Sequence, residues 1–194
     1  TGEGNTAVGY LSTTSVTTGS NNTALGSGSG GSISTGQQNV CLGLSAGNNI
    51  TTGDNNICLG SFSNPAAADS ANTITLGSSS ISTLRCQVQT ISSLSDERDK
   101  TNITDSVDGL NIINLLKPKK FTWAMREASA NNGRTELGFI AQDIDIALGD
   151  KNDYIHAISK ENPDKLEAAY GRFIPIMVKA IQELSAKVTA LEAG

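Results

Sequence analysis

The stretch SDERDK, residues 95 to 100, places one hydroxyl, three carboxylates and two cations within six positions. Ser95 and Lys100 are the two residue types there that could together break a bond. A serine hydroxyl is a weak nucleophile until a neighbouring base takes its proton, and an amine serves as that base only when neutral. Free lysine titrates near pH 10.4, so burial or a nearby cation has to favour the neutral amine before such chemistry runs at ordinary pH. Taken alone, the same residues also read as the solvated start of a helix, with Ser95 as N-cap and acids in the first turn.

These residues lie at a change of texture. Gly, Ser, Thr and Asn dominate residues 1 to 90, and nearly all the charge follows. TGEGNTAVG (1–9), TGSNNTALG (18–26), TGQQNVCLG (35–43) and TGDNNICLG (52–60) align without gaps at a period of 17, and a degenerate copy ends on Gly77. Each copy is a turn signal followed by a short alternating strand closed by glycine. One unit offers too few apolar side chains to fold alone, so burial is expected from stacked units and from neighbouring chains. The expectation for residues 1–80 is a β-rich shaft, a β-solenoid or β-prism, rather than a Gly/Ser linker. From Ile81 to Leu94, Leu84, Cys86 and Val88 alternate with Arg85, Gln87 and Gln89, which predicts a half-buried connecting strand.

Downstream, Val107, Leu110, Ile113 and Leu116 are spaced for a helix over 105–116, ended by Lys117-Pro118. KKFTWAM and ELGFIAQ read as a hairpin with a long connection, with Trp123 and Phe139 as core anchors, followed by a short helix from Asp143 to Leu148. The only histidine, His156, sits in an alternating YIHAI segment and reads as structural, and KENPDK (160–165) as an exposed turn. Ile174, Met177, Ile181, Leu184, Val188 and Leu191 follow 3, 4, 3, 4, 3 spacing, the seam of a self-associating coiled coil over 172–193. Lys179, Glu183 and Lys187 can stay outside it, and Pro175 falls where a helix start tolerates it.

Composition narrows the function. A net charge of −5 argues against general nucleic-acid binding, and no apolar run approaches the roughly 18 residues that span a membrane. Cys41, Cys58 and Cys86 lack CxxC spacing and a nearby histidine, so no metal is expected. With no glycine-rich phosphate loop, no cofactor is expected either. Cys41 and Cys58 occupy equivalent repeat positions and read as small buried residues.

SDERDKTNI (95–103), KFTW (120–123), GFIAQ (138–142) and the closing run from Tyr170 to Leu184 resemble, in order and spacing, the peptidase S74 family. These are the intramolecular chaperone domains that end phage endosialidases, tail fibres and neck appendages, and they occur also in myelin regulatory factor-type proteins. The resemblance covers about a hundred residues. It implies an α+β chaperone domain over 95–194 that ends in a long coiled-coil helix, assembles as a homotrimer and releases itself from a virion fibre. By position, Ser95 would be the nucleophile, Lys100 its base and Leu94-Ser95 the scissile bond. Asp96 and Arg98 would shape the turn, with Gln142 or backbone amides near Asn102 as candidate oxyanion donors. Asp99 departs from the family, which usually carries an apolar residue there, and sets a negative charge beside the base.

The repeats resemble those in heads of trimeric autotransporter adhesins and in viral fibre shafts, which implies a three-stranded, surface-displayed rod with a host receptor or glycan as its target. The heptad by itself favours two strands; both resemblances imply three. The alternative is a non-catalytic adhesin whose C-terminal domain stays as a permanent trimerisation cap. A membrane-tethered regulator released by the same chemistry is a weaker possibility.

Overall fold

A computed structural model describes residues 2–88, 90–126, 129 and 131–194. The chain divides into two units. One comprises residues 1–83, 123–134 and 161–165, and the other 84–122, 135–160 and 166–194.

The first unit contains the repeats. Strands β1 (Thr6–Val8), β2 (Thr23–Leu25), β3 (Val40–Leu42), β4 (Ile57–Leu59) and β5 (Ile74–Leu76) form one parallel sheet in sequence order. Every pairing is offset by one repeat, Thr6 opposite Thr23 and Cys41 opposite Cys58. The result is a β-solenoid of about four turns. Its core lies within the chain, where Ala24, Ile33, Cys41, Ala46, Ile50 and Cys58 are buried together. Stacked units of the chain supply this core, as the repeat spacing predicts. Both buried cysteines are free.

Asparagine holds the turns in step. Asn22, Asn39 and Asn56 are fully buried, and the amide of each donates to the side-chain oxygen of the asparagine one turn earlier, at 3.1, 3.0 and 3.0 Å. Each amide also donates to a backbone carbonyl of the next turn, Gly36, Gly53 or Ser70, and Thr73 closes the ladder on Asn56. The closing glycines are required by close approach. Gly26 has φ +135°, and a Cβ there would lie 2.5 Å from the carbonyl oxygen of Gly43.

Residues 81–94 carry no strand among those described, and Gln89 lies outside them. An isolated extended segment has no partner for its ladder, so the apolar half of the alternation stays in water. Ile91 is 99% exposed and Leu94 94%.

In the second unit, α1 (Leu110–Ile113) is shorter than the spacing predicts. Gly109 is non-helical, with φ −139° and ψ −108°, and Asp108 is held elsewhere, so Val107 stays exposed. β6 (Lys119–Thr122) and β7 (Thr135–Gly138) form the expected antiparallel hairpin. Next come α2 (Ala141–Leu148), α3 (Asn152–Ile155), the small pair β8 (Ile158–Ser159) and β9 (Glu167–Ala168), and α4 (Ile174–Glu192). The alternating segment around His156 is not a strand: α3 ends there with His156 exposed and left-handed at φ 53°.

Ile112, Ile144, Leu148, Ala157, Phe173 and Ile176 centre the core of this unit. Phe139 packs against it with its ring edge-on to Tyr170 at 5.4 Å. Trp123 is half-buried and belongs to the first unit, so it does not anchor this core.

The long helix splits its faces cleanly. Ile176 and Ala180 turn inward, while Ile174, Met177, Ile181, Leu184, Val188 and Leu191, the whole heptad seam, are exposed. Glu183 does not stay free in solvent; its carboxylate accepts the Leu110 N–H at 2.9 Å and caps α1.

Asn39→Ala removes donors and acceptors from three adjacent turns and is expected to destabilise the solenoid by about 2–4 kcal/mol in urea unfolding. Gln37→Ala, at an exposed position, should stay within about 0.5 kcal/mol of the parent.

Candidate active site

Ser95 and Lys100 are brought together by a tight turn. A 3-10 turn spans Glu97–Asp99, and its N-cap is Asp96, not Ser95. The Asp96 carboxylate accepts the Arg98 backbone N–H at 2.9 Å and the guanidinium at 3.0 and 2.6 Å, so Arg98 folds back on its own cap. That pairing holds the Asp96 carboxyl below the usual carboxylate range. Lys100 closes the turn through its N–H to the Glu97 carbonyl and leaves it extended.

With Asp96 capping, the Ser95 hydroxyl is available to another partner. The Lys100 Nζ donates to Ser95 Oγ at 2.7 Å and to the Ser95 carbonyl oxygen at 3.0 Å. Five residues of sequence separation thus become one hydrogen bond. Both side chains are exposed, as is all of 101–107. Among the described residues Asp99 makes no ion pair with Lys100.

The structure does not bring the other candidates to Ser95. Gln142 lies exposed in the first turn of α2, and no hydrogen bond joins it or Asn102 to Ser95 among the described residues. Asn102 adopts φ 53°, a left-handed bend just after the turn.

A clasp that sequence reasoning missed fixes the far end of this segment. The Asp108 side chain is closed off from water and accepts Lys151 Nζ, Tyr154 Oη and Asn111 Nδ2. The Lys151 ammonium first, then the Tyr154 hydroxyl, hold the Asp108 carboxyl below its ordinary range. Asp108 reads in sequence as one more acid in DSVDG. Its partner is 43 residues away, and no local spacing points to it.

Residues 95–150 match the family model Peptidase_S74, described as chaperone of endosialidase. Over these residues, under a third of the chain, the sequence is similar to that family. The match begins on Ser95, the residue whose hydroxyl Lys100 reaches. Sixty residues are 55% identical to an uncharacterized protein VP1 of Micromonas pusilla reovirus (isolate Netherlands/2005), covering 30% of this chain. The chain spans 3% of that relative's length. No solved structure matches significantly.

The depressed Asp108 carboxyl contributes stability above the ordinary aspartate range that is lost as pH falls through its folded value. Asp108→Asn should therefore lower the stability of the second unit at pH 7. It should also flatten the stability decline between about pH 5 and pH 2, followed by urea unfolding across pH.

Proposed function

We propose that residues 95–194 trimerise and register a viral fibre, then detach by cutting the bond between Leu94 and Ser95. The observation that carries this reading is the 2.7 Å contact between Lys100 Nζ and Ser95 Oγ, made at the first residue of the S74 segment. In the proposed reaction a neutral Lys100 takes the hydroxyl proton and Ser95 Oγ attacks the carbonyl carbon of Leu94. The C–N bond breaks, the proton passes to the departing Ser95 amine, and an ester joins Leu94 to the serine oxygen. Water then hydrolyses the ester, leaving a Leu94 carboxylate and a free hydroxyl. The balance is the same whether the carbonyl belongs to the same chain or to a neighbour.

Assembly provides the trigger. The exposed seam of α4 is an apolar stripe with heptad spacing, the surface a coiled coil buries. Ile91, Leu94, Ile103 and Val107 flank the dyad in sequence and are exposed in a single chain, so chains packed over this segment would take water away from it. Desolvation favours the neutral amine. Cleavage would then report correct packing. Three copies are preferred over two because the chaperone family and the repeat-bearing rod both favour trimers.

Freshly expressed chain should resolve on denaturing gels into fragments of 94 and 100 residues, the two sides of the Leu94-Ser95 bond. Ser95→Ala should stay whole. Lys100→Arg, which keeps the charge but does not give up a proton near neutral pH, should cut at least about a hundredfold more slowly. A wild-type chain that assembles and stays intact would overturn the catalytic reading in favour of a permanent cap.

Replacing Ile181 and Leu184 together with Asp should yield monomers by sedimentation and suppress cutting, although both side chains are remote in sequence from Ser95. Cutting at the wild-type rate by monomers would break the proposed link between assembly and chemistry.

A further inference from the structure

The repeat does not stop where the sheet does. Thr90 stands 17 residues after Thr73, so TISSL (90–94) falls in the register of NVCLG (39–43), NICLG (56–60) and TITLG (73–77). Thr90 takes the place of the buried Asn39 and Asn56, and Ile91 follows Ile57 and Ile74. Ser92 is a small residue in the column of Ala24, Cys41 and Cys58, all of which are buried. Leu94, the residue before the proposed cut, falls on the closing glycine. In the uncut chain, however, β5 ends the sheet with β4 on one side only, and Ile91 and Leu94 are almost fully exposed.

We infer that residues 90–94 close on the open edge of β5 as a sixth strand once residues 95–194 have left. The inference rests on the release proposed above and names what the freed end of the rod then does. The bonds it needs continue two existing series. The N–H groups of Thr6, Thr23, Val40 and Ile57 donate to the carbonyls of Asn22, Asn39, Asn56 and Thr73, each at 2.8 Å, and the next member is Ile74 to Thr90. The N–H groups of Gly26, Gly43 and Gly60 donate to Val8, Leu25 and Leu42 at 2.8 Å and that of Gly77 to Leu59 at 2.7 Å, and the next member is Leu94 to Leu76. The asparagine ladder continues too. The Thr73 N–H donates to the Asn56 side chain, and the Thr73 hydroxyl is an acceptor for the Thr90 N–H in turn.

The glycines agree with this. A closing glycine makes room for the turn after it, as the close approach of Gly26 to the Gly43 carbonyl shows. β5 keeps such a glycine in Gly77, whereas a last strand has nothing after it and carries Leu94. At the opposite corner Ser70 stands where Gly2, Gly19, Gly36 and Gly53 stand in the earlier turns, so residues 85–88 bow outward and the sixth turn is regular only along its strand. Release sets the timing. Ser129 Oγ donates to the Ser79 carbonyl at 2.8 Å and Asn162 Nδ2 to that of Ala66 at 2.9 Å, so two side chains of the departing part hold the last turn. Their loss frees the chain after Gly77 to come into register. Closure covers an edge that otherwise recruits foreign strands.

The test uses the full chain carrying Ser95→Ala, with the recognition sequence of a site-specific protease inserted after Leu94 and an affinity tag on the C-terminal part. Amide hydrogen exchange over residues 90–94 is read by mass spectrometry before cutting, and again on rods cleared of the tagged part. Exchange is expected to be fast in the uncut chain and at least about a hundredfold slower in the freed rod. Two adjacent exposed serines then decide the register. Ser92→Asp, which points inward in a sixth strand, should abolish the gained protection, and Ser93→Asp, which points outward, should keep it. Exchange that stays fast after the tagged part is gone, or equal effects of the two substitutions, overturns the inference and leaves release standing. A tagged part that stays bound after cutting overturns both. Because the added protease makes the cut, a wild-type chain that never cuts itself counts against the dyad alone.

Discussion

Water decides what a lysine beside a serine can do. Charged, the ammonium donates a hydrogen bond to the hydroxyl and leaves its proton in place; neutral, it accepts that proton. The Lys100–Ser95 contact has the geometry for transfer, and it lies in an exposed turn of a single chain. On the proposed reading, chemistry waits for solvent to be excluded. The exposed apolar side chains near the turn, Ile91, Leu94, Ile103 and Val107, and the bare seam of α4 are the surfaces whose burial would do this. Fold and reaction are then coupled through one variable, the access of water to residues 95–100.

The solenoid changes the problem a chaperone has to solve. Near-identical repeats paired between chains could slip by a whole unit along their backbone ladders. Here every ladder runs within one chain, and the buried asparagines bond from each turn to the next, so internal register is set locally. On the proposed reading, what remains open is the stagger between copies, which near-identical turns do not define. On the proposed reading a helical clamp answers that need, and its later removal would leave rods already aligned and held by the barrier to separation.

Much of this was legible in the sequence because it repeats or alternates. The period of 17 gave the short strands and their stacking into a solenoid, whereas the burial of Asn22, Asn39 and Asn56 was not read from it. The spacing of KKFTWAM and ELGFIAQ gave the hairpin, and the heptad gave both the extent of α4 and the face it exposes. The failures share a cause. Residues 81–94 alternate as a strand does, yet a strand needs a partner, which alternation does not supply. Asp108 pairs with Lys151, and Glu183 caps α1 from 73 residues away; such contacts follow from tertiary packing and leave no local trace. Within SDERDK, Ser95 and Asp96 are both good caps, and the Arg98 guanidinium settles the choice for Asp96 by adding two bonds to the backbone cap on its carboxylate.

The most direct measurement of the coupling between assembly and bond breaking is the rate of cutting as a function of chain concentration during refolding, with intact mass and sedimentation followed on the same samples. The account predicts that dilution slows cutting in step with assembly, and that intact monomers persist uncut. Cutting at one rate across a hundredfold dilution, with the 94-residue product appearing while chains are still monomeric, would contradict it.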